Sequence, residues 1–310
     1  MKNVKVSISK NKAKQYFLWS QVIDFDNMLL SYKKTQLGKP RLKLSAINYK
    51  ENYILNLIEL RNKITQYEYK PRGYISFIVE EPKVRLIYAP VYEDKIVQYM
   101  LNNVLRDLYE PLFIYDSYAC IRNKGTHAAV LRIQKFQRLA YKNYEDPYFL
   151  KLDISKFFYS IDRDILKQIL TKHLTCIKTY NLICLIIDNF HEPKGLPLGN
   201  LTSQLLANIY LNVIDQIIKR EFKIKYYIRY ADDMFLIIDG KERAVELKHA
   251  ITNRIKRELA LTINPKKAYV TKAERISGLG FNIYPTHITL LSRNKRKFKK
   301  FVNKNKIESL

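Results

Sequence analysis

Short runs of β-branched and aromatic residues alternate along this chain with longer stretches whose apolar residues fall three and four apart, so the pattern predicts mixed helix and sheet. Tyr226 to Tyr230 and Met234 to Ile238 are two such runs, separated by Ala231-Asp232-Asp233 and closed by Asp239-Gly240. They read as paired strands with both carboxylates at the hairpin tip. Tyr148 to Asp153 is a third short apolar strand, ending in Asp153 before Ser155 to Tyr159 turns toward a helix. Tyr74 to Val79 and Arg85 to Ala89 read as a further hairpin, joined by the charged Glu80-Glu81-Pro82-Lys83. Helical spacing covers Tyr53 to Leu60, ahead of a break at Pro71-Arg72-Gly73, and Asp94 to Leu108, whose buried side carries Ile96, Val97, Met100, Leu101, Val104, Leu105 and Leu108. It returns after the Gly/Pro-rich loop Gly195 to Gly199, with Leu206, Ile209, Tyr210, Val213, Ile214 and Ile217 on one face and Thr202 or Ser203 as the expected cap. Lys241 to Leu259 is a fourth helix, with Ala244, Leu247, Ile251, Ile255 and Leu259 aligned.

Aspartate is a common turn former, and an arbitrary Asp-Asp pair needs no other explanation. Here two like charges cap two of the most hydrophobic strands in the chain, where their repulsion is poorly screened unless a cation neutralises it. That context favours a divalent metal site, with Mg²⁺ as the hard ion that takes carboxylates together with substrate phosphates. A metal pair for phosphoryl transfer needs another carboxylate at the end of a buried strand. Asp153 meets that requirement.

Length and charge narrow the partners. The 310 residues are 47% hydrophobic, ample for one or two domains. Lys and Arg total 55 against 29 acidic residues, a net charge of +26, which implies a polyanionic partner with nucleic acid as the default. Part of the lysine enrichment accompanies abundant Ile, Asn and Tyr, as in an A+T-rich genome, but that bias leaves the lysine-to-glutamate imbalance unexplained. Cys120, Cys176 and Cys184 lack metal-type spacing and read as reduced core residues, implying a cytoplasmic location. No apolar signal core follows Met1, and Leu182 to Ile187 is too short to span a bilayer, so no membrane association is expected.

Asp153 followed by Phe157-Phe158, ahead of Tyr230-Ala231-Asp232-Asp233, resembles the reverse transcriptases. The resemblance covers about residues 50 to 290 with the motifs in order, and it implies an α/β (α+β) right-hand polymerase of fingers, palm and thumb. The implied division is an N-terminal extension over 1–46, interleaved fingers and palm over 47–285, and a short or truncated basic thumb over 286–310. The extension, with its apolar patch Tyr16 to Trp19, is either an RNA-contacting segment or a packing arm. Asp153, Asp232 and Asp233, with Ile154 among the metal-site positions, would hold two Mg²⁺ ions, with Mn²⁺ as a substitute; Asp233 would be the weaker ligand. Arg85, and with it Lys83, would contact the incoming triphosphate. Phe158 would lie beneath the deoxyribose, or else be a core aromatic, and Leu198 and Gly199 would line the nucleotide site. Lys267, in Leu261 to Lys267, would stand near the leaving pyrophosphate.

Ser117 to His127 resembles a second fingers block, where Arg122, Lys124 and the backbone around Gly125 suit a phosphate backbone. His127, with no second ligand at metal spacing, is expected to pack or touch template. Gln204 and Tyr230 belong with the template and primer contacts. Gly278 to Ile283 resembles the primer-grip hairpin, whose Gly278 and Gly280 would permit close approach. The basic run Ser292 to Lys306 would begin a thumb helix.

Leu198 stands where most reverse transcriptases have Gln, and Leu198-Gly199-Asn200-Leu201-Thr202-Ser203-Gln204 resembles the enzymes of diversity-generating retroelements. Those copy a template RNA with errors opposite adenine and work with a small basic accessory protein that forms a pentamer. A retron or phage-defence reverse transcriptase, including one working without a template, is the nearest rival. A non-catalytic RNA-binding scaffold is a rival of another class. The sequence has no internal repeat, RNase H block or endonuclease zinc finger, which argues against a complete mobile intron protein.

Overall fold

A computed structural model describes residues 18–37, 44–80 and 83–307. The chain divides into two compact units that are not contiguous in sequence: residues up to Phe113 with Lys156–Leu211, and Ile114–Ser155 with Asn212 onward.

The first unit is mostly helical. Its central element is Tyr92–Tyr109, on which Ile96, Val97, Met100 and Leu101 are wholly buried. Glu93 and Asp94 lie in its first turn, where negative charge suits the exposed N–H groups. Asp94 is buried and accepts hydrogen bonds from the Tyr69 hydroxyl at 2.7 Å and the Arg72 N–H at 2.8 Å. Helix Phe25–Thr35 packs on this element: Met28 is buried, and Asn27 Nδ2 donates to the Met100 carbonyl at 3.2 Å. The described part of the amino-terminal region is thus a packed arm, and helix Leu44–Glu51 runs across residue 46. Residues 1–17, and with them Tyr16 and Phe17 of the expected apolar patch, lie outside the described residues, as do Glu81 and Pro82 of the hairpin turn. Arg163–Thr171 buries Leu166, Ile169 and Leu170 at helical spacing. Asp162 caps it by accepting from Asp164 N at 3.0 Å and Ile165 N at 3.1 Å, an arrangement that stabilises a helix by about 1 kcal/mol. Strands β1 (Tyr74–Val79) and β2 (Arg85–Pro90) form an antiparallel hairpin.

The second unit is built on a four-stranded antiparallel sheet. Its strands are β3 (Pro147–Asp153), β4 (Tyr226–Tyr230), β5 (Asp233–Asp239) and β6 (Tyr269–Lys272), in the order β4-β5-β3-β6. Leu150 lies opposite Leu236 and Phe149 opposite Ile237, and all four are buried. Both alternations of β3 and β5 are therefore covered, which is why they read as continuous apolar runs. Helix Thr126–Asn143 supplies Ala129, Val130, Ile133 and Phe136 to a core with Phe149, Tyr226, Ile228, Phe235 and Ile237. Helix Lys241–Leu259 buries Ala244, Ile251, Ile255 and Leu259. A second sheet joins β7 (Ile276–Gly278), β8 (Phe281–Ile283) and β9 (Ile288–Leu290), and Ser292–Ile307 is a helix as expected.

Two expectations are corrected. The helix of the Gly/Pro-rich block is Leu201–Gln216, so Thr202 and Ser203 lie buried in its first turn rather than capping it. Asn200 precedes the helix, and its amide donates to the Tyr74 hydroxyl at 3.1 Å. The three cysteines are free, but none is a core residue: Cys120 is exposed, in a left-handed turn at φ +58°, and Cys176 and Cys184 are half-buried. Among the described residues no helix is long and apolar enough to cross a membrane.

Candidate active site

Register gathers the acidic residues of the second unit. Asp153, the last residue of β3, lies directly opposite Asp233, the first of β5, and Asp233 is also the partner of Tyr230 in β4. Asp232 sits beside them in the turn, after Ala231 in the left-handed region at φ +52°. Period-2 alternation places Phe149, Lys151 and Asp153 of β3 on one face with Asp233, Phe235 and Ile237 of β5. That face is apolar at one end and charged at the other.

Two lysines balance the charges. Lys267 Nζ is 2.7 Å from Asp153 Oδ2 and Lys151 Nζ is 2.9 Å from Asp233 Oδ1. The hydrogen bond to Asp153 raises the pKa of Lys267. Lys267 ends a one-turn helix, Pro265–Lys267, fixed by Asn264, whose side chain accepts from Lys266 N at 3.1 Å and whose backbone N–H donates to the Asp153 carbonyl at 2.8 Å. Asp153 itself is 4% exposed. Burial pushes the carboxyl of Asp232 above the usual carboxylate range, and the negative charges of Asp233 and Asp153 add to that shift. Its own backbone N–H and Lys267 oppose it. Ile154 has a buried side chain with no donor atom, so only its carbonyl is chemically able to ligate.

The donor set therefore consists of hard carboxylate oxygens that repel one another and have drawn two ammonium groups to themselves. Among the described residues no three His, Cys, Asp or Glu side chains close around a point as a ready metal cage. An open oxygen site of this kind fits a hard divalent cation that completes its shell with phosphates and water, as Mg²⁺ does.

The second unit holds other expected residues as well. The Tyr230 hydroxyl is 2.9 Å from Thr126 Oγ1. A Cβ on Gly278 would come within 2.5 Å of the Phe235 ring, so only glycine fits that strand. Gly280 accepts at its carbonyl from Asn294 Nδ2 at 3.1 Å. Arg122 is exposed, whereas Lys124 turns inward: its Nζ donates to the Tyr115 and Ser117 carbonyls and lies 4.6 Å from the Tyr115 ring centre. His127 packs edge-on to Phe281.

In the first unit, Phe158, Leu198 and Gly199 converge on one loop. The Phe158 carbonyl accepts from Leu196 N at 2.7 Å, and the Leu198 carbonyl accepts from Tyr88 N of β2 at 2.7 Å. Gly199 has φ +106°, and a Cβ there would meet Ile87 Cγ2 at 2.6 Å. The loop is thereby pressed against the strand that carries Arg85. Arg85, Lys83 and Gln204 are exposed, while Phe158 and Leu198 are half-buried. Lys151 is not among the residues expected at the site, although its position two residues before Asp153 in a strand places it on the same face.

This mixed helix and sheet fold is similar to solved telomerase structures: telomerase from Candida tropicalis in complex with a fragment of telomeric RNA superposes with a TM-score of 0.53 at 14% identity, covering 77% of this chain and 49% of that one. The family model for reverse transcriptase (RNA-dependent DNA polymerase) matches residues 78–283, and the chain belongs to that family. Among its relatives is the group II intron-encoded protein LtrA of Lactococcus lactis, 26% identical over 59% of this chain and 31% of the relative. A putative COX1/OXI3 intron 2 protein of Saccharomyces cerevisiae is 20% identical over 85% of this chain and 38% of that protein. The chain thus spans well under half the length of these curated relatives.

Proposed function

We propose that the chain is an RNA-directed DNA polymerase that extends a primer on a template RNA from deoxynucleoside triphosphates. The observation that carries this reading is the register of Asp153 against Asp233, with Asp232 alongside and Lys267 on Asp153. In a right-hand layout, the antiparallel sheet is the palm, the β1-β2 hairpin belongs to the fingers, and the basic helix from Ser292 begins the thumb.

Asp153, Asp232, Asp233 and the Ile154 carbonyl would hold Mg²⁺, or Mn²⁺ in its place, and the bound metal would supply positive charge for the 3′-hydroxyl, the α-phosphate and the leaving oxygen. Lys267, an ammonium with a raised pKa, holds a proton beside the leaving pyrophosphate. Arg85 and Lys83 orient the triphosphate by charge. Phe158 excludes a 2′-hydroxyl, and Leu198 and Gly199 line the nucleotide site. Arg122, the Lys124–Gly125 backbone, Gln204, Tyr230, Gly278 and Gly280 bear on template and primer.

The finer reading is an error-prone enzyme of a diversity-generating retroelement, partnered by a small basic pentameric protein and acting in the cytoplasm. The Leu198 to Gln204 block supports it. Gln at position 198 offers a hydrogen bond that holds the base pair in register, and Leu offers apolar contact alone, so a mispair loses less. The matched intron proteins favour a second reading, an intron-like or retron-like reverse transcriptase of ordinary fidelity. Primer extension on RNA, beside a no-template control and with sequencing of the cDNA, tests all of these. Synthesis with errors concentrated opposite adenine, reduced severalfold by Leu198→Gln, is expected. An even error spectrum favours the second reading, template-free synthesis a phage-defence type, and RNA binding without synthesis a scaffold.

A further inference from the structure

Arg229 and Asp215 are the most deeply buried charges of the second unit, each 0% exposed. Arg229 Nε lies 2.9 and 2.8 Å from the two Asp215 oxygens, and Nη2 lies 2.7 Å from Oδ2. The Tyr227 hydroxyl donates to Asp215 Oδ1 at 2.6 Å. Tyr227 and Arg229 alternate with Tyr226, Ile228 and Tyr230, so this network occupies the sheet face opposite Asp153 and Asp233. A buried ion pair of this kind is a poor stabiliser, because desolving two charges offsets most of their attraction, and well-packed apolar residues do as well or better. A further contact points to another role. Arg229 Nη1 donates to the carbonyl of Ala231 at 3.1 Å.

That carbonyl belongs to the peptide joining Ala231 to Asp232. Its other end is the N–H of Asp232, the residue that carries the carboxylate. Ala231 is a non-glycine residue in the left-handed region, a conformation that persists only where its surroundings impose it. Arg229 is itself fixed through its backbone: its N–H donates to the Asp116 carbonyl at 2.9 Å, and its carbonyl accepts from Tyr118 N at 3.0 Å.

We propose that Arg229, held in place by Asp215, is a positioning residue that locks the Ala231–Asp232 peptide from behind the sheet and so fixes the direction in which Asp232 presents its carboxylate. The inference rests on the polymerase reading, so its test includes a readout independent of DNA synthesis: Mn²⁺ binding followed by electron paramagnetic resonance, beside single-turnover nucleotide incorporation.

Two variants of the full chain are informative. Tyr227→Phe/Asp215→Leu/Arg229→Met replaces the network with apolar side chains, and Arg229→Lys keeps the charge but loses the fork. The triple variant is expected to melt cooperatively and bind RNA like the wild type. Its maximal incorporation rate should fall about 100-fold, as a misplacement of about 1 Å does, with apparent nucleotide affinity within about threefold. Mn²⁺ should bind about tenfold more weakly. A folded triple variant with a rate within about threefold of wild type overturns the proposal. If the triple variant does not fold, Arg229→Lys decides by the same rate criterion. A wild-type protein that incorporates nothing on any template, yet loses Mn²⁺ affinity in these variants, retracts the polymerase reading and leaves the positioning role standing.

Discussion

Lys151→Met removes the ammonium 2.9 Å from Asp233 while keeping an unbranched side chain in the strand. Without metal, Asp233 then faces Asp153 and Asp232 with its own ion-pair partner gone and Lys267 engaged with Asp153. The side chains of Lys151 and Asp233 are 14% and 26% exposed, so the pair lies between a fully buried one, whose disruption costs about 3–5 kcal/mol, and a surface one worth under about 1 kcal/mol. A loss of about 2 kcal/mol is expected, which lowers Tm by about 3 °C in a chain of this size. With metal, the sign reverses. In the wild type an ion at Asp233 must displace Lys151, and removing that competitor should tighten Mg²⁺ binding about tenfold, or about 1.4 kcal/mol. At free Mg²⁺ about ten times the wild-type Kd, binding stabilises the wild type by about 1.4 kcal/mol and the variant by about 2.7 kcal/mol. The Mg²⁺-induced rise in Tm should thus be about 2 °C larger in the variant. Thermal melts in EDTA and across a Mg²⁺ titration measure both quantities. An equal Mg²⁺ shift in the two proteins, or undiminished stability in EDTA, would refute the competition.

Asp232→Asn should abolish primer extension while leaving thermal stability and RNA binding near wild type, since it removes charge without volume; activity within about tenfold of wild type would sink the assignment. RNA affinity should fall roughly 10³-fold or more between 50 and 200 mM salt through counterion release, and a flat profile in filter binding would contradict the basic-surface account. Phe158→Ala should admit ribonucleotides by opening space beneath the sugar, and unchanged ribonucleotide discrimination in extension assays would return Phe158 to a packing role.

The centre of the second unit is legible because its chemistry and its burial coincide. β3, β4 and β5 are covered on both faces, so they appear as unbroken apolar runs, and charges at their ends stand out as Asp153 and Asp232-Asp233. The same logic hides β6 and β9. Tyr269–Lys272 and Ile288–Leu290 are four and three residues long and mostly half-buried or exposed, so their strand character comes from pairing with β3 and β8 rather than from local pattern. The helix Arg163–Thr171 did carry its signal, a capping Asp162 before Leu166, Ile169 and Leu170, yet it lies between two louder motifs. Lys151 shows the opposite limit: its place in a strand is evident, but its pairing with Asp233 depends on which strands are neighbours.

The β3-β5 ladder that brings Asp153 opposite Asp233 also brings Leu150 opposite Leu236. A slip of one residue would turn every side chain of a strand to the other face, so the facing carboxylates and the hydrophobic interior share one alignment key. Replacing single residues along Pro147–Asp153 can retune this protein gradually. Inserting or deleting one cannot, because the frame that measures out the core also sets the carboxylates opposite one another.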